Sequence, residues 1–166
     1  MKSLISLIYL LLYYYRYYYF LDNITQSGTI PFELQNITHL YYLSNEDGTI
    51  SSTIPPQLGN LKNLSFFDLN FQDIEGSIPD SFYKRDSLAL IDLNDNKMTG
   101  SISSDICNLL DLFFLQLGND KDGTNDFSGT LPKCIGSLSK LSKCCFALDQ
   151  IPSRKSPEKK THRCHV

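Results

Sequence analysis

The 166-residue sequence contains no tryptophan and two methionines, and its formal net charge is only −3. It also lacks the short motifs of common catalytic sites: HExxH, G-x-S-x-G and the phosphate loop GxxxxGK(S/T) are all absent. Without a basic excess there is no general electrostatic attraction to nucleic acid. These absences argue against an enzyme and against a nucleic-acid-binding protein, and no cofactor is expected.

What the chain does have is a repeat of fixed period. Its marker is Gly-x-Ile-Pro or a close variant, and the Ile or Leu of the marker stands at positions 30, 54, 78, 102 and 131. The steps between these positions are 24, 24, 24 and 29, so one insertion of five residues interrupts the period. Units this small must stack to bury a core, which predicts a single solenoid of four to five turns.

Each repeat also carries a strand pattern. The alternation Phe67-x-Leu69 indicates a half-buried strand whose apolar side chains point inward. Asn96 and Asn125 follow two such strands, and an inward amide there predicts hydrogen bonds to neighbouring backbone. Proline after the marker Ile predicts the end of an extended segment, followed by a short helix or 3-10 turn.

Together these positions resemble the plant-type extracellular leucine-rich repeat, LxxLxxLxLxxNxLxGxIPxxLxx, over roughly residues 28–146. The resemblance implies an α/β leucine-rich repeat solenoid with a parallel sheet on the concave face and short helices or 3-10 turns on the convex face. The sequence departs from the pattern at a few places, and those turns are expected to be less regular. The departures are Asn45 for a strand leucine, Gly48 and Gln72 for the ladder asparagine, and Ser103 for proline.

None of the five cysteines forms a CxxC pair, and the paired-cysteine N-terminal cap of the family is absent. Cys107 and Cys134 are a candidate disulfide, because both follow the marker on consecutive turns, although their offsets differ by two residues. Cys144 is expected in the core, with Cys145 as its outward neighbour. An odd cysteine count leaves at least one unpaired. In the tail, a metal site formed by Cys164, His162 and His165 is a weaker interpretation than a solvated segment.

The outward strand positions are the predicted ligand-binding surface. Stacked at about 5 Å per rung, they form an apolar, mainly aromatic column beside a polar, acidic one that would favour a cationic partner. Packing between neighbouring rungs is the plainer explanation of the aromatic column. The predicted residues are Tyr42, Ser44, Phe66, Asp68, Asn70, Leu90, Asp92, Asn94, Phe114 and Gln116.

The two ends differ from the repeat, which predicts a segment 1–21, a repeat domain 22–149 and a basic disordered tail 150–166. Residues 1–21 begin with a basic residue and an apolar run, which resembles a secretory signal peptide. No small-x-small cleavage site follows, so an uncleaved membrane anchor and an N-terminal cap or strand stay open. Tyr19 precedes Leu43 by one full period, which fits the strand alternative.

Three Asn-x-Ser/Thr sequons favour the secretory pathway and predict glycans at Asn23, Asn36 and Asn63. The insertion contains Asp120-x-Asp122-Gly123-x-x-Asp126, which has part of a calcium loop's pattern. Because the first acidic ligand is replaced by Gly118, an acidic surface loop is the preferred interpretation.

The expected function is that of a non-catalytic recognition module, secreted or at the cell surface, or alternatively membrane-anchored. The resemblance implies ligand perception or hydrolase inhibition, as in plant receptor-like proteins and polygalacturonase inhibitors. Its partner would be a protein or peptide, with a cell-wall polysaccharide as an alternative and a co-receptor as a further partner. A structural fragment of a larger repeat array, without a ligand of its own, is the alternative.

Overall fold

A computed structural model describes residues 18–20, 24–45, 48–119, 124–146 and 162–163. Strands and five-residue 3-10 helices alternate along the chain, and the described residues contain no α-helix. The elements are β1 (Tyr18–Phe20), β2 (Ile24–Gly28), η1 (Phe32–Asn36), β3 (Tyr42–Ser44), β4 (Gly48–Ile50), η2 (Pro56–Asn60), β5 (Phe66–Asp68), β6 (Glu75–Gly76), η3 (Asp80–Lys84), β7 (Leu90–Asp92), β8 (Lys97–Ser101), η4 (Ser104–Asn108), β9 (Phe114–Leu117), β10 (Asp126–Ser128), η5 (Lys133–Ser137), β11 (Lys143–Phe146) and β12 (His162–Arg163).

The strands form one main sheet and two small ones. The main sheet has the order β1-β3-β5-β7-β9-β11-β12, and its neighbours are parallel except for the last pair. Its register advances by one repeat per strand, as in the pairing of Phe66 with Leu90 and of Leu90 with Phe114. The small sheets, β6-β8-β10 and β2-β4, were not foreseen from the sequence.

The repeat leucines and their substitutes fill one continuous core between the main sheet and the 3-10 helices. Leu43, Phe67, Ile91 and Leu115, at the centres of successive strands, are fully buried. Burial of these side chains is the main favourable term in the stacking of the turns. The prediction of a solenoid with inward strand leucines is confirmed by this arrangement.

A ladder of side-chain amides lies inside the turns, as predicted for Asn96 and Asn125. Each amide oxygen accepts a hydrogen bond from a backbone nitrogen of the preceding turn, and each amide nitrogen donates to carbonyl groups at the strand exits. Gln72 occupies the same place, so the expected irregularity at this residue is wrong. The accepting oxygens of Gln72, Asn96 and Asn125 each lie 2.9 Å from the nitrogens of Ile50, Ile74 and Met98, respectively.

Gln72 also explains how a buried polar residue is tolerated in a strand position. Asn45 is buried in the place of a leucine, and its amide nitrogen lies 2.8 Å from the Gln72 side-chain oxygen. Gln72 in turn donates to the carbonyl of Asn45 at 3.3 Å. A buried amide is costly when it lacks partners. The longer side chain at 72 provides one for the Asn45 amide nitrogen, whereas the Asn45 side-chain oxygen has no hydrogen-bond partner.

The marker residues shape the turn between β8 and η4. Gly100 has φ 87, and a Cβ there would lie 2.9 Å from the Cβ of Ser77, so both conformation and space favour glycine. Ser103 replaces proline at the start of η4. Its hydroxyl accepts a hydrogen bond from the nitrogen of Asp105 at 3.2 Å and so caps the helix.

Cys107 and Cys134 form a disulfide on the helical side, with Cα atoms 5.8 Å apart. Gly59 and Ser81 hold the equivalent positions two turns earlier, where a Cβ on Gly59 would overlap that of Ser81. This diagonal contact joins positions slightly less than one period apart, and the five-residue insertion extends the same contact to the separation of 27 between the cysteines. The two-residue difference in offset therefore brings the cysteines together.

Arg85 is a departure that the sequence pattern concealed. It stands where other turns have Leu61 or Leu109, and it is only 4% exposed. One guanidinium nitrogen donates to the carbonyl of Leu61 at 3.2 Å, and the group lies 4.3 Å from the ring centre of Phe82. The other two nitrogens have no hydrogen-bond partner. Burial lowers the pKa of Arg85 to about 10, so the group is still charged at neutral pH.

Replacing Arg85 with the leucine of the other repeats should therefore stabilise the fold. Arg85→Leu removes a buried cation with no described counter-ion, and we expect the free energy of unfolding to rise by about 1–3 kcal/mol. Chemical denaturation at pH 7 measures this change. Lys84→Leu, at the exposed neighbouring position, is the control and should stay within about 0.5 kcal/mol of the parent. A less stable Arg85→Leu protein would contradict the prediction.

Two strands lie outside the predicted repeat domain 22–149. The backbone of β1 pairs with β3 so that Tyr19 faces Leu43, as the strand alternative for the N-terminal segment required. The backbone of β12 pairs with β11, within the tail predicted to be disordered. Within the described ranges, no helix has the length and apolar content needed to cross a membrane. The rest of segments 1–21 and 150–166 lies outside the described residues.

Candidate functional site

The structure places the predicted ligand-binding residues on the outer side of the main sheet, opposite the buried strand centres. We call this surface the sheet face. Neighbouring strands bring the same repeat position together, so Tyr42 lies beside Phe66 and Asp68 beside Asp92. The outward direction of these positions follows from the burial of the residues between them, as in Leu43 and Phe67.

The aromatic column is half-buried rather than open. Tyr42, Phe66, Leu90 and Phe114 are all of intermediate exposure, and the rings of Tyr42 and Phe66 stack with centres 5.6 Å apart. Contacts between rungs therefore account for part of the apolar character of this column, as its plainer explanation held.

More exposed aromatic residues stand one position earlier, at sites that the repeat pattern does not single out. Tyr41 and Phe113 are 40% and 37% exposed. Their ring centres lie 5.3 Å and 6.3 Å from that of Phe66, which therefore reaches a strand two rungs away. Ser65 and Ala89 hold the two intermediate rungs and leave room for these rings. The signal was available as the residue preceding each column position.

We call Tyr41, Tyr42, Phe66 and Phe113 the aromatic cluster. It joins rings from three strand entries into one patch at the edge of the sheet face. Aromatic groups that keep part of their surface exposed are the groups that most often anchor protein–protein contacts. Tyr41 and Phe113 are two of the five exposed large hydrophobic residues among those described.

The polar column differs from its prediction. Ser44, Asp92, Asn94 and Gln116 are buried, at 2%, 6%, 2% and 6% exposure, although they were expected to be open to a ligand. Short polar side chains near the centre of a sheet turn to neighbouring polar groups instead of to solvent. Asp68 and Asn70 are partly buried. The expectation of an open acidic column is therefore wrong for its central part.

Asp92 is the centre of a hydrogen-bonded network across three strands. Its Oδ1 accepts from the nitrogen of Asn94 at 3.1 Å. With the Gln116 amide oriented to suit its neighbours, its nitrogen donates to Asp92 Oδ2 and its oxygen accepts from Lys143 Nζ, each at 3.2 Å. Lys143 Nζ also lies 4.8 Å from the ring centre of Phe114. The network links the polar column to the aromatic column at β9 and β11.

Burial raises the pKa of Asp92 to about 6, and the nearby charge of Asp68 acts in the same direction. The hydrogen bond from Asn94 opposes this shift. Because the charged form is disfavoured in the folded protein, the folded chain retains a proton on Asp92 between about pH 4 and pH 6 that the unfolded chain has lost. The stability contributed by this group therefore falls as the pH rises through that window.

The expected loss of stability with rising pH can be tested with Asp92→Asn, which keeps the hydrogen bond from Asn94 and removes the charge. We expect the variant to melt at a higher temperature than the parent at pH 7.5, and the difference to shrink at pH 4.5. Thermal unfolding followed by circular dichroism at the two pH values measures it. Asp126→Asn, at an exposed position, is the control. A difference that is constant or larger at pH 4.5 would contradict the assignment.

The insertion leaves the sheet next to this face and is closed at its base. Asn119 Nδ2 donates to the carbonyl of Asn125 at 3.0 Å, and Asn125 N donates to Asn119 Oδ1 at 2.8 Å. This reciprocal pair returns Asn125 to its place in the ladder. The calcium candidates Asp120 and Asp122 lie outside the described residues. The residues that are described contain no group of three His, Cys, Asp or Glu side chains able to hold a metal.

The sequons lie away from the sheet face. Asn36 is the last residue of η1, and Asn63 follows η2; both are exposed. They do not hold equivalent repeat positions, since Asn60 is the residue one period after Asn36, but they are close in space: Asn63 Nδ2 donates to the carbonyl of Thr38 at 2.7 Å. Asn23 lies outside the described residues.

A shallow cavity of about 430 Å³ lies on the helical side, bordered by Tyr83, Asp86, Cys107 and Leu110. Tyr83 is buried, and its burial raises the pKa of the hydroxyl well above the ordinary range. Two cysteines of the chain, Cys144 and Cys145, are buried in β11, so Cys145 is less outward than expected.

No protein-family model and no curated protein matches the chain, but several solved structures are similar to it. The leucine-rich repeat ectodomain of the receptor kinase GASSHO1/SCHENGEN3 from Arabidopsis thaliana is 31% identical, with a TM-score of 0.67. It aligns over 78% of this chain and 15% of its own. The fold is a leucine-rich repeat solenoid.

Two further Arabidopsis receptor kinases show the same likeness. HAESA, in complex with the peptide hormone IDA and the co-receptor SERK1, is 34% identical with a TM-score of 0.67, over 79% of this chain and 21% of its own. The SOBIR1 ectodomain is 26% identical with a TM-score of 0.67, over 76% and 65%, respectively. The chain thus spans less than two thirds of the length of each of these ectodomains. The likeness confirms the predicted solenoid and its resemblance to extracellular receptor-like leucine-rich repeats.

Proposed function

We propose that this chain is a non-catalytic recognition module that binds a protein or peptide through its sheet face, with the aromatic cluster as the anchor. The similarity to leucine-rich repeat ectodomains of receptors supports a ligand-binding role. Of the relatives implied by the sequence pattern, the receptor-like ones have this structural support. The finer assignment to the plant-type repeat of this period, and to proteins resembling polygalacturonase inhibitors, is part of the proposal.

The observation that carries the proposal is the exposure of Tyr41 and Phe113 on both sides of Phe66. The neighbouring rungs have serine and alanine at the same position, so packing within the sheet does not require large rings there. A solvated position that bears a large aromatic group costs solubility without contributing to the core. Binding of an apolar group of the ligand between the rings of Tyr41 and Phe113 would explain why both positions are aromatic.

The ligand proposed is a peptide or a protein loop that crosses the rungs. GASSHO1/SCHENGEN3 is seen in complex with CASPARIAN STRIP INTEGRITY FACTOR 2, and HAESA with a peptide hormone and a co-receptor. A co-receptor is accordingly a second proposed partner here. No structural neighbour favours the polysaccharide alternative. Asp92 is buried, so it is less accessible to a cationic group of the partner than the expected open acidic column would be.

The test replaces the two exposed rings with the residues of the intermediate rungs. Random dodecapeptides displayed on phage are selected against the parent, and the affinity of one synthetic winner is measured by fluorescence anisotropy. Tyr41→Ser together with Phe113→Ala should weaken binding at least about tenfold, as expected for anchor residues. Phe32→Ala is the matched control, because Phe32 is 52% exposed on the helical side, in η1.

If the double variant binds the peptide as tightly as the parent while Phe32→Ala loses affinity, the binding site lies on the helical side instead. The absence of any enriched peptide from a folded parent would favour the second candidate, a structural part of a longer repeat array. That candidate is supported by the short span of the matches, 15% of GASSHO1/SCHENGEN3 and 21% of HAESA.

The proposed location is extracellular or at the cell surface, as for the ectodomains it resembles, with an anchor in residues 1–21 as the alternative. The exposure of Asn36 and Asn63 agrees with this location. After expression in secreting eukaryotic cells, glycopeptide mass spectrometry should find a glycan on at least one of them. Asn36→Gln and Asn63→Gln should each remove its own glycan, whereas Asn60→Gln, at an exposed position without a sequon, should leave both unchanged. Secreted protein with both asparagines unmodified would contradict this prediction.

A further inference from the structure

The last strand of the main sheet, β12, differs from the other strands in its spacing along the chain and in its direction. Successive strands from β3 to β9 begin one period apart, and β11 follows β9 by one period plus the five-residue insertion, all in parallel. β12 begins less than one period after β11 and runs antiparallel to it, with Phe146 opposite His162 and Cys145 opposite Arg163. It is therefore a return of the chain, because an antiparallel neighbour does not need the crossover that a parallel one requires.

Without β12, the outer edge of β11 would be open to pairing with other extended chains. β11 has the sequence Lys-Cys-Cys-Phe, and Cys144 and Phe146 are 2% and 1% exposed. An uncovered apolar edge strand presents unpaired N–H and C=O groups to any other extended chain. With β12 in place, the new edge of the sheet is a two-residue strand of histidine and arginine. Short and charged edge strands resist pairing with a further strand.

The final repeat turn is also fixed on its helical side. The disulfide between Cys107 and Cys134 ties η5 to η4, so the helical side of this turn is fixed covalently. On the sheet side β11 has β9 as its neighbour in one direction, and its other edge has β12. The two devices act on opposite sides of the same turn.

From these observations we infer that the outer edge of β11 is a strand-addition site that accepts an extended segment in antiparallel orientation, and that the chain fills it with its own residues His162 and Arg163. Main-chain hydrogen bonds carry this type of recognition, with little demand on side chains. The tail is then a cover for the last rung of the sheet, and it does not depend on the ligand-binding role of the sheet face.

The experiment separates backbone pairing from side-chain contact. His162→Pro with Arg163→Pro removes both N–H groups; one of them must face β11, because neighbouring residues of a strand point their N–H groups to opposite sides. His162→Ala with Arg163→Ala keeps both N–H groups and serves as the control. The readouts are hydrogen exchange of the segment Lys143–Phe146 and molar mass by light scattering.

The proline variant should exchange this segment at least about tenfold faster than the parent and form larger species as concentration rises, while the alanine variant matches the parent. A synthetic peptide of residues 156–166 should restore protection to the proline variant, and the same peptide with prolines at 162 and 163 should not. Equal exchange in the proline variant and the parent, or equally fast exchange in both variants, overturns the proposal. So does failure of the unmodified peptide to protect.

Discussion

Three successive turns within the described residues leave buried backbone N–H groups that a side chain of the next turn satisfies. The side-chain amides of Gln72, Asn96 and Asn125 provide the acceptors and donors for the turn before them. A buried N–H without a partner costs about as much as a lost hydrogen bond, so the turns cannot slide past one another. The in-register sheet, and with it the alignment of the sheet-face residues, depends on this condition.

The same condition explains which departures from the repeat are tolerated. Asn45 brings a polar amide into an apolar position, yet the longer Gln72 reaches it while still bonding to Ile50. Ser103 loses the fixed φ of proline and provides a helix cap in exchange. Arg85 has no such compensation beyond one carbonyl and the ring of Phe82, and so it remains a buried charge at the centre of the helical side.

The period, the inward leucines and the ladder asparagines were predictable from sequence because each is a local signal repeated in register. The strand Tyr18–Phe20 could be placed by counting one period back from β3. The small sheets were not foreseen, since their strands of two to five residues carry no clear alternation. The repeat predicted which residues stand beside one another on neighbouring strands, as Asp68 and Asp92 do, but it did not predict their exposure. How far Asp92 and Gln116 are buried depends on bonds to other strands. That this surface binds a ligand stays a prediction. Tyr41 and Phe113 were missed because they precede the column that the repeat pattern defines.

The base of the insertion between β9 and β10 is held by the Asn119–Asn125 pair and by the ladder bond of Asn125, and the Cys107–Cys134 disulfide spans the insertion in sequence. Its length is thereby uncoupled from the pitch of the solenoid, which resumes its register at Asp126 opposite Thr99. We therefore expect changes in the length or sequence of this loop to leave the neighbouring rungs in place. It is the part of the molecule where new contact surface can arise by insertion rather than by substitution within the sheet.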